Sequence, residues 1–377
     1  MKKLLTLLMI IGFTSILHSS EIIKIKLFDG DTLTGKLDLP SSGNIRELII
    51  FIPGTGPNTY TNHRKLGNVE FNYFDLFVDE FNKRGIAFFA YNRRGVEIGN
   101  FPPYYDKVDR EKYKKYLPSI EIKDIGSIIS YLKADARLKN CKIVLFGASE
   151  GTMLASMVAE NKNNKVDALF LLGYANDNLY DIIKWQFSGE ASMIAMKDYM
   201  NYLDTNKDNQ INKQEYESSD KIAELIRGTV LRGAKYEELD ANKDNNITSD
   251  DYKIVNSSRY QAILNAIDTK NDDWIWNNYF HITSAWLKEY FESEPNKTRL
   301  LRLDIPIYVF HGDEDANVPV AGVYDIKERF ALNNKTNLNC FIFKGHNHDL
   351  NFMDWPNKKV ISDGIQKIFD TSDELNK

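Results

Sequence analysis

The segment Lys142-Ile-Val-Leu-Phe-Gly-Ala-Ser-Glu-Gly-Thr-Met-Leu-Ala constrains the fold more than any other stretch of the chain. An apolar run enters Gly147-Ala148-Ser149-Glu150-Gly151, and a helix-forming stretch leaves it. This is the strand–turn–helix setting in which G-x-S-x-G holds a serine on a strained turn. Glycine at each end removes Cβ atoms that would meet the neighbouring strand or helix. The turn also places Ser149 at a helix N-terminus, where the backbone dipole favours developing negative charge. Such a turn needs a sheet with helices packed on it, so strands and helices should alternate on either side.

They do. Strand-like runs stand at Ile22–Leu27, Leu48–Ile52, Ile86–Tyr91, Lys142–Phe146 and Ala168–Leu172, and the pattern resumes at Ile305–Phe310 and Asn339–Phe343. Between them, Tyr73–Lys83 and Ile120–Lys133 carry apolar residues at helical spacing. Alternating strands and helices predict an α/β fold with a mostly parallel central sheet. From 176 to 298 the strand-like runs vanish, and Asn, Asp and Lys dominate a helical pattern. The expected organisation is a core of 21–175 and 299–377, interrupted by a helical cap at 176–298.

Residues 1–20 have another character. Lys2 and Lys3 precede an apolar run from Leu4 to Leu17, and Ser19 and Ser20 follow. That is the pattern of a secretory signal peptide, and the run is short for a membrane span of about 20 residues. Export to the periplasm or medium is expected, with no stable span after cleavage. The formal net charge of −5 provides no basic footprint for nucleic acid. Cys141 and Cys340 each read as buried free thiols beside or within strands, and two positions alone do not establish a disulfide.

Partners for Ser149 lie at other strand ends. Leu48-Ile-Ile-Phe-Ile-Pro-Gly-Thr-Gly-Pro empties a strand into a Gly-rich loop, where the backbone N–H of Thr55, with that of Glu150, could face a tetrahedral oxyanion. Pro306-Ile-Tyr-Val-Phe-His-Gly-Asp-Glu-Asp ends in two acids, Asp315 as the favoured orienting group and Asp313 as its competitor. Gly345-His-Asn-His-Asp offers His348 as the favoured base and His346 as the alternative. A serine hydroxyl is a weak nucleophile until a neutral imidazole takes its proton, and a buried carboxylate fixes that imidazole. The order Ser, Asp, His suits this kind of sheet. His63 and His281 read as surface or pocket polar groups, and His311 as a strand-end residue.

Taken in order, the Pro-Gly-Thr-Gly-Pro loop, Tyr91-Asn-Arg-Arg-Gly95, the serine turn, His311-Gly-Asp-Glu-Asp and Gly345-His-Asn-His348-Asp resemble the α/β-hydrolase superfamily. The resemblance covers about two-thirds of the chain after residue 20 and suggests carboxylesterases, acyl thioesterases and prolyl-oligopeptidase-like peptidases. Members often read Tyr-Asp-x-Arg-Gly where this chain has Tyr91-Asn-Arg-Arg-Gly95, a departure that bears on subfamily.

The cap contains a repeat. Asp204, Asn206, Asp208, the Gln210 carbonyl and Glu215 fall at positions one, three, five, seven and twelve of a calcium loop, with Asn212 at nine. Asp240, Asn242, Asp244, Asn246 and Asp251 repeat the spacing, with a shorter final carboxylate that predicts a weaker site. Ile211 and Ile247 stand at position eight, where paired loops form a short bridge. Asn209 at position six tolerates the left-handed conformation usually given to Gly. The loops resemble the calmodulin-type EF-hand superfamily, with helical flanks expected at Ala191–Leu203, Glu215–Gly228 and Asp251–Ile267. A third echo at Ile267-Asp-Thr-Lys-Asn-Asp has Lys270 where an oxygen is needed and Tyr279 where the carboxylate should be, so no metal is expected there.

These readings combine into an exported serine hydrolase with Ca²⁺ stabilising its cap, acting on a small acyl ester or thioester. A peptidase or acyltransferase with the same triad is the enzymatic alternative. A calcium-binding interaction protein on an inactive scaffold is the non-enzymatic one. Trp185, Phe187, Trp274, Trp276 and Trp286 could line an apolar pocket or simply form the core of the cap.

Overall fold

The computed structural model describes residues 19–41, 44–188, 200, 202–231 and 233–375. The apolar run Leu4–Leu17 therefore lies outside the described residues. So does most of the expected flank at Ala191–Leu203.

Eight strands form one sheet: β1 (Ser19–Lys26), β2 (Thr32–Leu39), β3 (Glu47–Ile52), β4 (Ile86–Tyr91), β5 (Lys142–Ala148), β6 (Ala168–Leu172), β7 (Ile307–Gly312) and β8 (Leu338–Phe343). Their spatial order is β1-β2-β4-β3-β5-β6-β7-β8. β1 and β2 pair antiparallel, as do β2 and β4, while every pair from β4 to β8 is parallel. The parallel strands are buried on both faces, which is why they read as continuous apolar runs. In β3, Leu48, Ile50 and Ile52 join the core on one face, while Ile49 and Phe51 join the core on the other. Helices Asp75–Lys83 and Asp363–Glu374 help cover one face, and Pro118–Ala134 and Glu150–Glu160 the other.

β2 was not among the expected strands. It alternates polar and apolar residues, with Leu33, Leu37 and Leu39 buried, so it lacks the apolar run that marks its neighbours. Cys340 also differs from expectation. It lies within β8 and is half-buried, whereas Cys141 is buried just before β5; both are free.

From Asn176 onward the chain leaves β6 and returns at β7. Among the described residues this stretch has no strand beyond a single antiparallel bridge between Ile211 and Ile247. Met200, Leu203, Ile211, Tyr216, Tyr236, Leu239, Ile247 and Tyr252 belong to a small apolar core separate from those on the sheet. The helix expected over Glu215–Gly228 is broken. Lys213–Tyr216 ends, and Asp220 caps a new helix at Lys221–Leu225 by accepting from the N–H groups of Ile222 and Ala223. The flank expected from Asp251 is a 20-residue helix, Ser249–Asp268. At the third echo the chain turns into helix Asp272–Asn278, capped by Asn271, and Tyr279 is buried. Trp286 and Phe187 are buried in the main core, and Trp274 and Trp276 pack against it. No helix of the described residues is long and apolar enough to cross a membrane.

Candidate active site

Ser149 sits between β5 and helix Glu150–Glu160 with φ 56° and ψ −121°, a left-handed conformation rarely adopted outside glycine. Its N–H donates to the Leu172 carbonyl at 2.8 Å, which anchors the turn to the end of β6. The flanking glycines are needed for space. A Cβ on Gly147 would lie 2.2 Å from the Gly151 carbonyl oxygen, and one on Gly151 would lie 2.1 Å from that of Ile52. Gly147 therefore lets the start of the helix fold back over the strand end, and Gly151 lets that helix press against the end of β3.

Asp315 is buried in the turn after β7. Its Oδ1 accepts from the N–H groups of Asn317 (2.8 Å) and Val318 (2.9 Å), which aims Oδ2 at His348. His348 Nδ1 stands 2.7 Å from that oxygen. Burial alone would raise the Asp315 carboxyl, but the imidazole, its hydrogen bond and the Val318 N–H hold it below the ordinary value. Burial would likewise lower His348, but the Asp315 charge outweighs it and holds the imidazole above its usual value. With Nδ1 engaged by Asp315, Nε2 is left for a reacting proton.

The competing residues point elsewhere. Asp313 is exposed, and its Oδ1 accepts from the Gly345 N–H at 2.6 Å. His346 directs Nδ1 at the Lys344 carbonyl, 3.1 Å away. His311, read from sequence as a strand-end residue, is fully buried with Nε2 only 3.4 Å from Asp315 Oδ2. Its Nδ1 accepts from the Tyr174 N–H at 3.0 Å, so Nε2 carries the proton and faces the Val318 carbonyl at 3.2 Å. Burial holds this imidazole below its usual value, hence neutral. It is a second neighbour of the carboxylate, and nothing in its strand pattern signals that. His63 is half-buried between Asn72 (2.7 Å) and Glu70 (2.9 Å), and His281 stacks on Trp276.

Ser149 and His348 both lie against the Leu172–Gly173 segment at the end of β6. The serine N–H binds the residue before Gly173, and a Cβ on Gly173 would lie 2.6 Å from His348 Cε1. Ser149 Oγ forms no hydrogen bond among the described residues; such contacts often tighten only with substrate present. Across from the serine, a Cβ on Gly54 would lie 3.0 Å from Ser149 Cβ, so the loop after β3 runs beside the nucleophile turn. Thr55 on that loop is half-buried and Glu150 is buried. No acceptor among the described residues takes either backbone N–H.

The loop residues of the insertion adopt a shared geometry. Asn209 (φ 64°) and Asn245 (φ 67°) are left-handed at position six, and Ile211 and Ile247 exchange two backbone hydrogen bonds of 2.9 Å. Asp204 Oδ2 accepts from Asn209 N at 2.8 Å, and Asp240 Oδ2 from Asn245 N at 3.1 Å. The closing carboxylates are turned onto the loop backbone. Glu215 accepts from the N–H groups of Thr205, Asn206 and Asn212, and Asp251 from those of Asn242 and Thr248. As placed, no three His, Cys, Asp or Glu side chains among the described residues converge on one point. The donor set is nevertheless all oxygen, on a backbone already curled around the loop centre, and it fits a hard cation such as Ca²⁺.

A serine on a strained strand–helix turn, beside a buried Asp–His pair at the carboxyl ends of parallel strands, is an arrangement found in α/β hydrolases. Residues 47–352 match the alpha/beta hydrolase fold family, and the chain is a hydrolase belonging to that family. Among solved structures, a highly thermostable carboxyl esterase from Bacillus coagulans, determined with glycerol, is similar at 14% identity and a TM-score of 0.52. The match covers 94% of this chain and 98% of that one. Est1E from Butyrivibrio proteoclasticus is similar at 13% identity and a TM-score of 0.48, over 94% and 96%. No curated protein matches the sequence.

Proposed function

We propose that the chain is an exported serine hydrolase that cleaves a small ester or thioester through an acyl-enzyme, with Ser149, His348 and Asp315 as its triad. The observation that carries this reading is the 2.7 Å His348–Asp315 hydrogen bond beside the strained serine turn. Ser149 Oγ attacks the substrate carbonyl carbon as His348 Nε2 takes its proton. The oxyanion so formed is held by the N–H groups of Thr55 and Glu150. The C–O or C–S bond then breaks, and the leaving group takes the proton from His348. Water, deprotonated by the same imidazole, attacks the acyl-enzyme, releases the acid and restores Ser149. Asp315 fixes the imidazole tautomer and stabilises its charged form. The basic start and apolar run of residues 1–20 support export. The similar carboxyl esterase from Bacillus coagulans supports an ester over a peptide.

In the same reading Asp204, Asn206, Asp208, the Gln210 carbonyl and Glu215 hold one Ca²⁺, and Asp240, Asn242, Asp244, the Asn246 carbonyl and Asp251 hold a second, weaker one. Held by these residues, Ca²⁺ would supply a fixed positive charge linking each loop to its flanking helices. To chelate, Glu215 would turn from the N–H groups of Thr205, Asn206 and Asn212 toward the loop centre.

The test is labelling with a fluorophosphonate probe, followed by a chain-length series of p-nitrophenyl esters beside aminoacyl amides. Wild type should label and hydrolyse esters, while Ser149→Ala should do neither. A folded wild type that fails to label, or a Ser149→Ala protein that still labels, would refute the reading.

A further inference from the structure

The nucleophile turn and the loop after β3 converge on a buried cation that the triad does not use. Arg93 follows β4 and is 2% exposed. A guanidinium has five N–H donors in a fixed planar fork, and here all five are engaged. Nη1 donates to the carbonyls of Gly54 (2.7 Å) and Gly56 (2.8 Å). Nη2 donates to the Pro53 carbonyl (3.0 Å) and to Glu150 Oε2 (3.2 Å), and Nε to Glu121 Oε1 (3.1 Å). Arg93 Cζ lies 4.2 Å from the centre of the Tyr116 ring, and the Arg93 N–H donates to the Asn58 carbonyl at 3.0 Å. Asn58 Nδ2 binds the same two glycine carbonyls, at 2.9 Å and 3.0 Å.

Peptide geometry gives these contacts a consequence. In a trans peptide the C=O and the following N–H point in opposite directions across a rigid plane. The Gly54–Thr55 peptide is trans, so the Gly54 oxygen held by Arg93 sends the Thr55 N–H the opposite way. At its other end the guanidinium grips the Glu150 side chain, and the Glu150 N–H begins the helix after Ser149. Tyr290 Oη donates to Glu150 Oε1 at 2.7 Å, and Tyr116 Oη to Oε2, so that carboxylate is fully held.

We infer that Arg93, assisted by Asn58, is the positioning residue of the oxyanion hole, fixing the Thr55 peptide by its carbonyl and the Glu150 donor by its side chain. The inference rests on the serine-hydrolase reading above. In Tyr91-Asn-Arg-Arg-Gly95, the arginine that matches the family pattern is Arg94. Arg94 faces away, into Asp124, Asp29 and Asp31. Arg93 occupies the variable position.

Arg93→Lys keeps the charge but loses the fork, so it cannot hold three carbonyls and a carboxylate together. Expected results are a kcat lower by roughly 10²–10³, the range for one lost oxyanion donor, and a KM within about twofold of wild type. Affinity for a trifluoromethyl ketone, whose adduct with serine carries the oxyanion, should fall by the same factor as kcat. Asn58→Ala should show the same pattern at about tenfold, and it decides the matter if Arg93→Lys does not fold. A folded Arg93→Lys with near-wild-type kcat, or one that loses kcat while its ketone affinity is unchanged, overturns the inference. Wild type that fails to react with the fluorophosphonate would instead defeat the triad itself, so the two failures are distinguishable.

Discussion

The packing of His348 on Gly173 makes one substitution especially informative. Gly173 has φ +61°, and an added Cβ would fall 2.6 Å from His348 Cε1 and 2.9 Å from Nδ1. Gly173→Ala therefore has two separable effects. The first is conformational, since an L-residue held left-handed costs about 1–2 kcal/mol of stability. The second is steric. Carbon atoms pack at about 3.5–4.0 Å, so the imidazole must withdraw by roughly 1 Å. A displacement of that size can cost about 10²-fold in rate, or about 2.7 kcal/mol of barrier. Gly85→Ala isolates the first effect, because Gly85 has φ +75° with nothing within 4 Å of the added carbon. Urea unfolding should show similar losses for both variants. Turnover of a p-nitrophenyl ester and the rate of fluorophosphonate labelling should fall about 10²-fold only for Gly173→Ala. If Gly173→Ala matches Gly85→Ala in turnover as well as stability, His348 is not the base.

Three further outcomes follow from the same geometry. The imidazole must be neutral to accept the serine proton, and Asp315 raises its pKa, so kcat/KM should fall with acid through a midpoint above the ordinary histidine value of about 6.5. Asp315→Asn should move that midpoint down and lower kcat by about 10⁴; a pH–rate profile with the same acid limb in both proteins would contradict the assignment. Calcium at about 100 times its Kd should stabilise the fold by about 2.7 kcal/mol in a titrated melt, removed by EGTA and by Asp204→Ala with Asp240→Ala, and a melting curve indifferent to both would defeat the calcium reading. Ile247→Ala, at the fully buried bridge residue, should lose about 2–5 kcal/mol from the small core while kcat per folded molecule stays near wild type; a stability loss below about 1 kcal/mol would mean that this core does not hold the segment together.

How much of this was legible in sequence depends on how local the cause is. The central strands announced themselves because burial on both faces leaves apolar runs, whereas β2 hid behind Thr32, Lys36 and Asp38 on a half-polar pattern. The serine turn was visible because Gly147, Ser149 and Gly151 lie within five residues and their spacing is itself the steric requirement. Asp313 and Asp315 could not be separated in the same way. They differ by which backbone N–H groups they meet, Gly345 for one and Asn317 with Val318 for the other, and only the folded turn fixes that. Arg93 was the least legible, because its meaning lies in carbonyls 37–40 residues away and a carboxylate 57 residues away. No pattern in the chain around Arg93 encodes those distances.

The insertion can be long without disturbing the sheet because its entry and exit are fastened to each other. Lys297 N donates to the Asn176 carbonyl at 3.0 Å, and Lys297 Nζ reaches Asp177 Oδ1 at 2.6 Å. Asn296, 1% exposed, donates to the Ala175 carbonyl at 2.8 Å and to that of Thr152 at 3.3 Å. Thr152 in turn lies in the first turn of the helix after Ser149 and accepts from Ala175 N through its hydroxyl at 3.1 Å. Once the two ends are pinned, further residues add little, since closure entropy grows only as the logarithm of loop length. The site of pinning matters more than the length. Both ends are anchored on the helix that carries the Glu150 donor, and Tyr290, six residues before the exit clamp, adds its hydroxyl to the Glu150 carboxylate. The insertion thus meets the turn after Ser149 at the residue Arg93 also grips, and through Gln186, whose Nε2 donates to the Asn317 carbonyl at 2.8 Å, it also touches the turn that holds Asp315.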